Sequence, residues 1–180
     1  MATVGVFGTW RALPGSEIYD QAEEIGRISG EAGYSVLTGG YSGVMEAAPR
    51  GAKSVAGQTL GYTWVGLDGD LEPNGFLDET RHFDSVVERL ACLIEDSDIC
   101  VFFPGRTGTV AELALATEAR AKGALTSPLV LVGCYWKSFF NWLEKSNQKL
   151  GLPTGDEDEA CIYRVIEKPV HFEAFLGDRR

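Results

Sequence analysis

Residues 98–112 read DICVFFPGRTGTVAE, and this stretch decides the fold. Ile99 to Phe103 is an unbroken apolar run with no polar alternation. Such a run suits a strand buried on both faces, as in a parallel sheet covered by helices. Pro104-Gly105 ends it, and Gly108-Thr109 leads into an Ala/Leu-rich helix predicted over residues 110–121. A strand, a glycine-bearing turn and a helix make the repeating unit of an α/β domain.

The same unit recurs on either side. Strands are predicted over residues 2–7, 34–37, 58–65, 98–103, 129–132 and 161–166. Helices are predicted over 16–32, 42–55, 83–95, 110–121, 136–150 and 169–176. In the first helix Ile18, Ala22, Ile25 and Ile28 recur at spacings of three and four, which makes one apolar face. Residues 68–80 and 151–159 are rich in Asp, Glu, Gly and Pro and read as loops. The expectation is a single α/β domain over residues 1–180: one doubly wound, Rossmann-like parallel sheet with helices on both faces. Ligands of such sheets bind beyond the carboxyl ends of the strands, so the turns at Gly8, Gly39-Gly40 and Gly105-Gly108 should share one edge.

Composition narrows the partners. The 180 residues carry 16 Lys and Arg against 26 Asp and Glu, a net charge of −10. A chain this acidic is a poor binder of nucleic acid polymers, which are held through basic side chains. One phosphate group needs only backbone N–H groups and a helix end. Cys92, Cys100, Cys134 and Cys161 show no C-x-x-C spacing, and His82 and His171 stand alone. No metal site and no cofactor are expected. No membrane span and no leader are read, so the expected location is cytoplasmic.

Two glycine turns and one arginine could carry chemistry. Thr38-Gly39-Gly40-Tyr41-Ser42-Gly43-Val44-Met45 follows a strand and precedes a helix. Its glycines let backbone N–H groups approach an anion, and equally suit a tight turn. It has neither the dinucleotide spacing nor the Gly-Lys-Ser/Thr of a P-loop. In the second turn, Gly105, Arg106, Thr107, Gly108 and Thr109 offer N–H groups and hydroxyls at a helix start. Glu112 falls one turn further on, over the same mouth or as a complement to the helix dipole. Arg89 precedes this strand and could instead pair with Glu88 or Glu95 on a solvated face. Trp10, after Gly8-Thr9, could stack on a base or serve as a rim or core aromatic.

Taken together, these features resemble the Lonely Guy (LOG), or lysine decarboxylase-like, family. Its hallmarks are a G-G-G-x-x-G-x-M-G turn and a P-G-G-x-G-T-x-x-E turn. Residues 38–46 and 104–112 stand in those places, and Arg89 lies 15 residues before Pro104 and 23 before Glu112, the family's spacing. The resemblance runs over about residues 3–150. It implies a nucleoside 5′-monophosphate phosphoribohydrolase that frees a base, from a cytokinin nucleotide or AMP, and ribose 5-phosphate. In that reading Glu112 stabilises an oxocarbenium-like state and Arg89 holds the substrate or helps the departing base. Gly8, Thr9, Gly39, Gly40, Gly43 and residues 105–109 bind the nucleotide, and the chain forms a homodimer or larger homo-oligomer. The departures are Thr38, Glu46 and Arg106 where the family has glycine. An alternative of another class is a non-catalytic carrier or sensor, since molybdenum-cofactor carrier proteins resemble the same fold and also hold an anionic phosphate-bearing ligand.

Overall fold

The computed structural model describes residues 1–64, 72–152 and 162–178. Cys161, the acidic run 156–159 and the start of the first predicted loop lie outside the described residues.

Seven strands form one parallel sheet in the order β4-β3-β2-β1-β5-β6-β7. They are β1 (Thr3–Phe7), β2 (Ser35–Thr38), β3 (Thr59–Trp64), β4 (Glu79–Phe83), β5 (Ile99–Phe102), β6 (Leu129–Val132) and β7 (Tyr163–Ile166). The helices are α1 (Glu17–Glu31), α2 (Val44–Lys53), α3 (Val86–Glu95), α4 (Thr107–Ala121), α5 (Tyr135–Lys149) and α6 (Pro169–Gly177). This is the expected Rossmann-like α/β architecture.

The central strands divide their side chains by the two-residue period. Val4, Val6, Val36, Ile99, Val101, Val130 and Val132 join α1, α2 and α6 in one buried cluster. Phe7, Leu37, Cys100, Phe102, Leu129 and Leu131 join α3, α4 and α5 in the other. Both faces of β1, β5 and β6 are therefore apolar, as a doubly covered parallel sheet demands. The strand order reverses between β1 and β5. Right-handed crossovers then put α1 and α2 on one face and α3, α4 and α5 on the other, and a crevice opens at the reversal.

β4 corrects the sequence reading, which ran a loop through residue 80 and a helix from residue 83. Its residues 79–82 are exposed, and only Phe83 is buried. A charged, half-polar strand is what an unpaired sheet edge favours, and it hides the apolar pattern by which strands are recognised. The approach to β4 is pinned by Asp78, whose carboxylate accepts from the Thr59 N–H at 3.0 Å and from Lys53 at 2.7 Å. The following helix begins later than predicted because Ser85 caps it, accepting from the Glu88 N–H at 3.3 Å. Ser85-Val86-Val87-Glu88 has the spacing of a capping box.

α2 contains Pro49. A proline inside a helix leaves the carbonyl four residues earlier without its N–H partner. That carbonyl belongs to Met45. It accepts instead from the Thr38 hydroxyl at 2.9 Å and from Asn74 Nδ2 at 3.1 Å. Thr38 thus has a structural task that glycine could not perform.

Candidate functional site

The turns after β1, β2 and β5 meet at the carboxyl edge. Thr9 ties them together: its N–H donates to the Pro104 carbonyl at 3.2 Å, and its carbonyl accepts from the Val44 N–H at 3.0 Å. Both main-chain groups of Thr9 are therefore spent on protein. The Val44 N–H is the first of α2, so the chain's own carbonyl occupies that helix end. Gly43, with φ at +68°, lies where a side chain would strike the Thr9 and Trp10 main chain. The Gly40 N–H donates to Thr38 Oγ1 at 3.2 Å. In the first glycine turn the Gly40 and Val44 N–H groups are thus taken by protein acceptors.

The second turn is open. The Val110 N–H bonds back to the Arg106 carbonyl, but the N–H groups of Thr107, Gly108 and Thr109 find no acceptor among the described residues. No side chain caps α4, and its first turn carries no acidic residue. Space is open around Gly108. The partial positive charge of a 15-residue helix therefore faces outward unneutralised. Thr109 is buried against Gly105, and Tyr135 donates from its hydroxyl to the Gly105 carbonyl at 3.0 Å.

Arg89 is buried, which removes the solvated-face alternative. Its Nε donates to the Tyr62 carbonyl at 2.5 Å and its Nη2 to the Gly39 carbonyl at 3.1 Å. A Cβ at residue 39 would collide with this guanidinium and with Met45 Sδ, so any side chain there forces both to shift. Tyr41 stacks its ring 6.0 Å from the guanidinium carbon, and it exchanges hydrogen bonds with the Trp64 main chain through its hydroxyl. Among the described residues Arg89 makes no ion pair. Burial lowers its pKa from the ordinary value, while Glu112 and Tyr41 act in the opposite direction. Burial also pushes the Glu112 carboxyl up to about 7, against the pull of Arg89. Arg89 and Glu112 thus sense each other's charge without touching.

The departures from the glycine pattern have local explanations. Glu46 turns away from the crevice and accepts from the Tyr19 hydroxyl on α1 at 2.8 Å. It does not repel an anion at α4. Arg106 has φ at −99° and ψ at −157°, an extended conformation open to any residue. No backbone strain is stored there, contrary to the strain a glycine-only position would imply. Its side chain is exposed. Trp10 is no core residue either, being 57% exposed.

Sequence reading missed Tyr41, Asn74 and Arg11. Asn74 Nδ2 reaches the carbonyls of Gly40, Tyr41 and Met45 at 2.9–3.1 Å and holds the first turn in shape. The only signal in sequence for it is an Asn in a Pro/Gly-bearing loop. Among the described residues no cluster of His, Cys, Asp and Glu could hold a metal ion. No helix among them is long and apolar enough to cross a membrane.

The SLOG cluster4 family matches residues 1–149. The chain belongs to that family. An uncharacterized protein of Archaeoglobus fulgidus is 31% identical over 131 residues, 72% of this chain and 83% of that one. Among solved structures, the molybdenum cofactor carrier protein of Chlamydomonas reinhardtii superposes with a TM-score of 0.73 at 25% identity, covering 98% of this chain and 96% of the other. The molybdenum cofactor binding protein of Rippkaea orientalis superposes with a TM-score of 0.75 at 22% identity and the same coverages. DNA processing protein A of Helicobacter pylori, described in a single-stranded DNA binding mode, gives 0.63 at 16% identity over 99% of this chain and 81% of its own. The last two likenesses establish the fold alone. The family shown is SLOG cluster4, with the expected LOG-like fold; the narrower Lonely Guy assignment is a proposal.

Proposed function

We propose that this protein is a carrier or sensor that holds an anionic, phosphate-bearing small molecule of the molybdenum-cofactor or nucleotide kind. The ligand lies in the crevice between the β1 and β5 turns. One observation carries the reading: the N–H groups of Thr107, Gly108 and Thr109 stand open at the start of α4. A phosphate satisfies those N–H groups and the helix dipole together. Arg89 supplies a buried positive charge that lacks a bonded counter-ion among the described residues. Likeness to the carrier proteins supports a binding role over turnover. Thermal melts test it: AMP or a pterin phosphate should raise Tm, by mass action on the folded state. Adenosine, lacking the phosphate, should not. Equal shifts with AMP and adenosine would remove the phosphate anchor.

The second reading is the phosphoribohydrolase. It is favoured by the charge coupling between Arg89 and Glu112, at the sequence spacing that the Lonely Guy resemblance gives its catalytic pair. Incubation with AMP and detection of free adenine tests it, with Glu112→Gln as the control. Exposed Val86 and Val87 on α3 and Leu115 on α4 support the expected homo-oligomer.

A further inference from the structure

The mouth of the crevice carries a feature that the phosphate site leaves unused. Trp10 follows Thr9, whose N–H reaches Pro104 in the β5 turn. Its own carbonyl accepts from the Ser42 hydroxyl at 3.1 Å, just before α2. Trp10 is therefore held by its main chain between the two glycine turns. The residue, though, is 57% exposed. Arg11 lies over the ring with its guanidinium carbon 4.9 Å from the centroid. Among the described residues no other ring or cation rests on the indole.

A rigidly anchored backbone with an unburied indole is a stacking platform. Arg11 lies over one face, no other ring or cation among the described residues rests on it, and no core requires it. Its large π-face favours a planar heterocycle. Arg11 and Arg106 flank the crevice from the β1 and β5 turns, each two residues beyond the Thr9–Pro104 hydrogen bond. In a chain of net charge −10 this pair of cations favours an anionic ligand.

We propose that Trp10 is the ring-binding subsite: a planar heterocycle bearing a phosphate stacks on its indole while the phosphate sits at α4. This deepens, and rests on, the reading of the crevice as a phosphate-ligand site. It makes the ring, as well as the phosphate, a determinant of affinity.

Calorimetric titration of the full chain separates the two ideas. The probes are ribose 5-phosphate, which has no ring, AMP, and a pterin phosphate. Trp10→Ala should weaken at least one ringed probe by roughly tenfold or more, the range of base–aromatic stacking. It should leave ribose 5-phosphate unchanged, and Trp10→Phe should restore most of the loss. Loss with AMP alone assigns a purine, and loss with the pterin phosphate alone assigns a pterin. Unchanged affinity for both ringed probes in Trp10→Ala overturns the subsite and leaves the phosphate site standing. An equal loss with ribose 5-phosphate does the same. Failure of all three probes to bind wild type defeats the phosphate site itself, and the subsite with it.

Discussion

Arg89 Nη2 lies 3.1 Å from the Gly39 carbonyl, in the space that a side chain on residue 39 would claim. The guanidinium stands where it does because residue 39 has no Cβ. Gly39→Ala should therefore act as an indirect Arg89 mutation. The displaced guanidinium loses a hydrogen bond in a buried setting, and Met45 must also shift. Stability should fall by about 1–3 kcal/mol, the usual cost of overpacking, and AMP affinity about tenfold. Denaturant melts and calorimetry check both. A stability loss without an affinity loss would mean that Arg89 placement does not matter to the ligand.

Glu112 predicts a pH dependence with a definite sign. Its folded-state pKa, about 7, lies above the ordinary 4.5 because of burial. The folded protein then holds this proton more tightly than the unfolded chain. The stabilisation is complete below pH 4.5 and is lost as pH rises toward 7. Glu112→Gln removes the titration. The variant should gain on wild type between pH 5 and pH 8, by roughly 1–3 kcal/mol at most. Urea melts of both proteins across that range give the difference, and a constant difference would refute the shift.

Pro49 and Thr38 should be energetically coupled. Thr38→Val removes the hydroxyl that serves the Met45 carbonyl and should cost about 1–2 kcal/mol. In a Pro49→Ala background the residue-49 N–H can reach that carbonyl, so the same change should cost less. A double-mutant cycle measures the coupling. Strict additivity would show that Asn74 alone suffices for the carbonyl.

These residues also show where sequence reading reaches. The β5–α4 unit was legible because buried parallel strands are continuous apolar runs and glycine marks the turn. The Arg89–Glu112 register was legible only through the resemblance to the Lonely Guy family. The task of Thr38 was legible in principle, since Pro49 lies inside a predicted helix and orphans a definite carbonyl. The strand β4 was not, because its exposed residues resemble a loop. Nor was the closure of α2 by Thr9. It depends on the β1 turn crossing the start of α2, a long-range contact with no local signature. The buried state of Arg89 was hidden for the same reason, as its acceptors, Gly39 in the turn after β2 and Tyr62 within β3, are distant in sequence.

Arg106 supports the last prediction. Its extended backbone, with φ at −99°, rules out strain as the reason for an arginine where related turns carry glycine. Restoring glycine has no strain to relieve, so any change in binding must come from the side chain. At a helix N-cap, glycine costs only a few tenths of a kcal/mol relative to better caps. Arg106 makes no capping bond, so stability should barely move. Arg106 is exposed and directly precedes the open N–H groups of Thr107 to Thr109. A ligand with charge beyond one phosphate would reach it first. Arg106→Gly should then weaken ADP more than AMP, by about 1–3 kcal/mol for a lost charge-assisted hydrogen bond. The deficit should shrink as salt rises, because the contact is solvent-accessible. Titrating wild type and Arg106→Gly with both nucleotides at low and high salt decides the matter. Equal affinities in both proteins would show that Arg106 points away from the bound ligand.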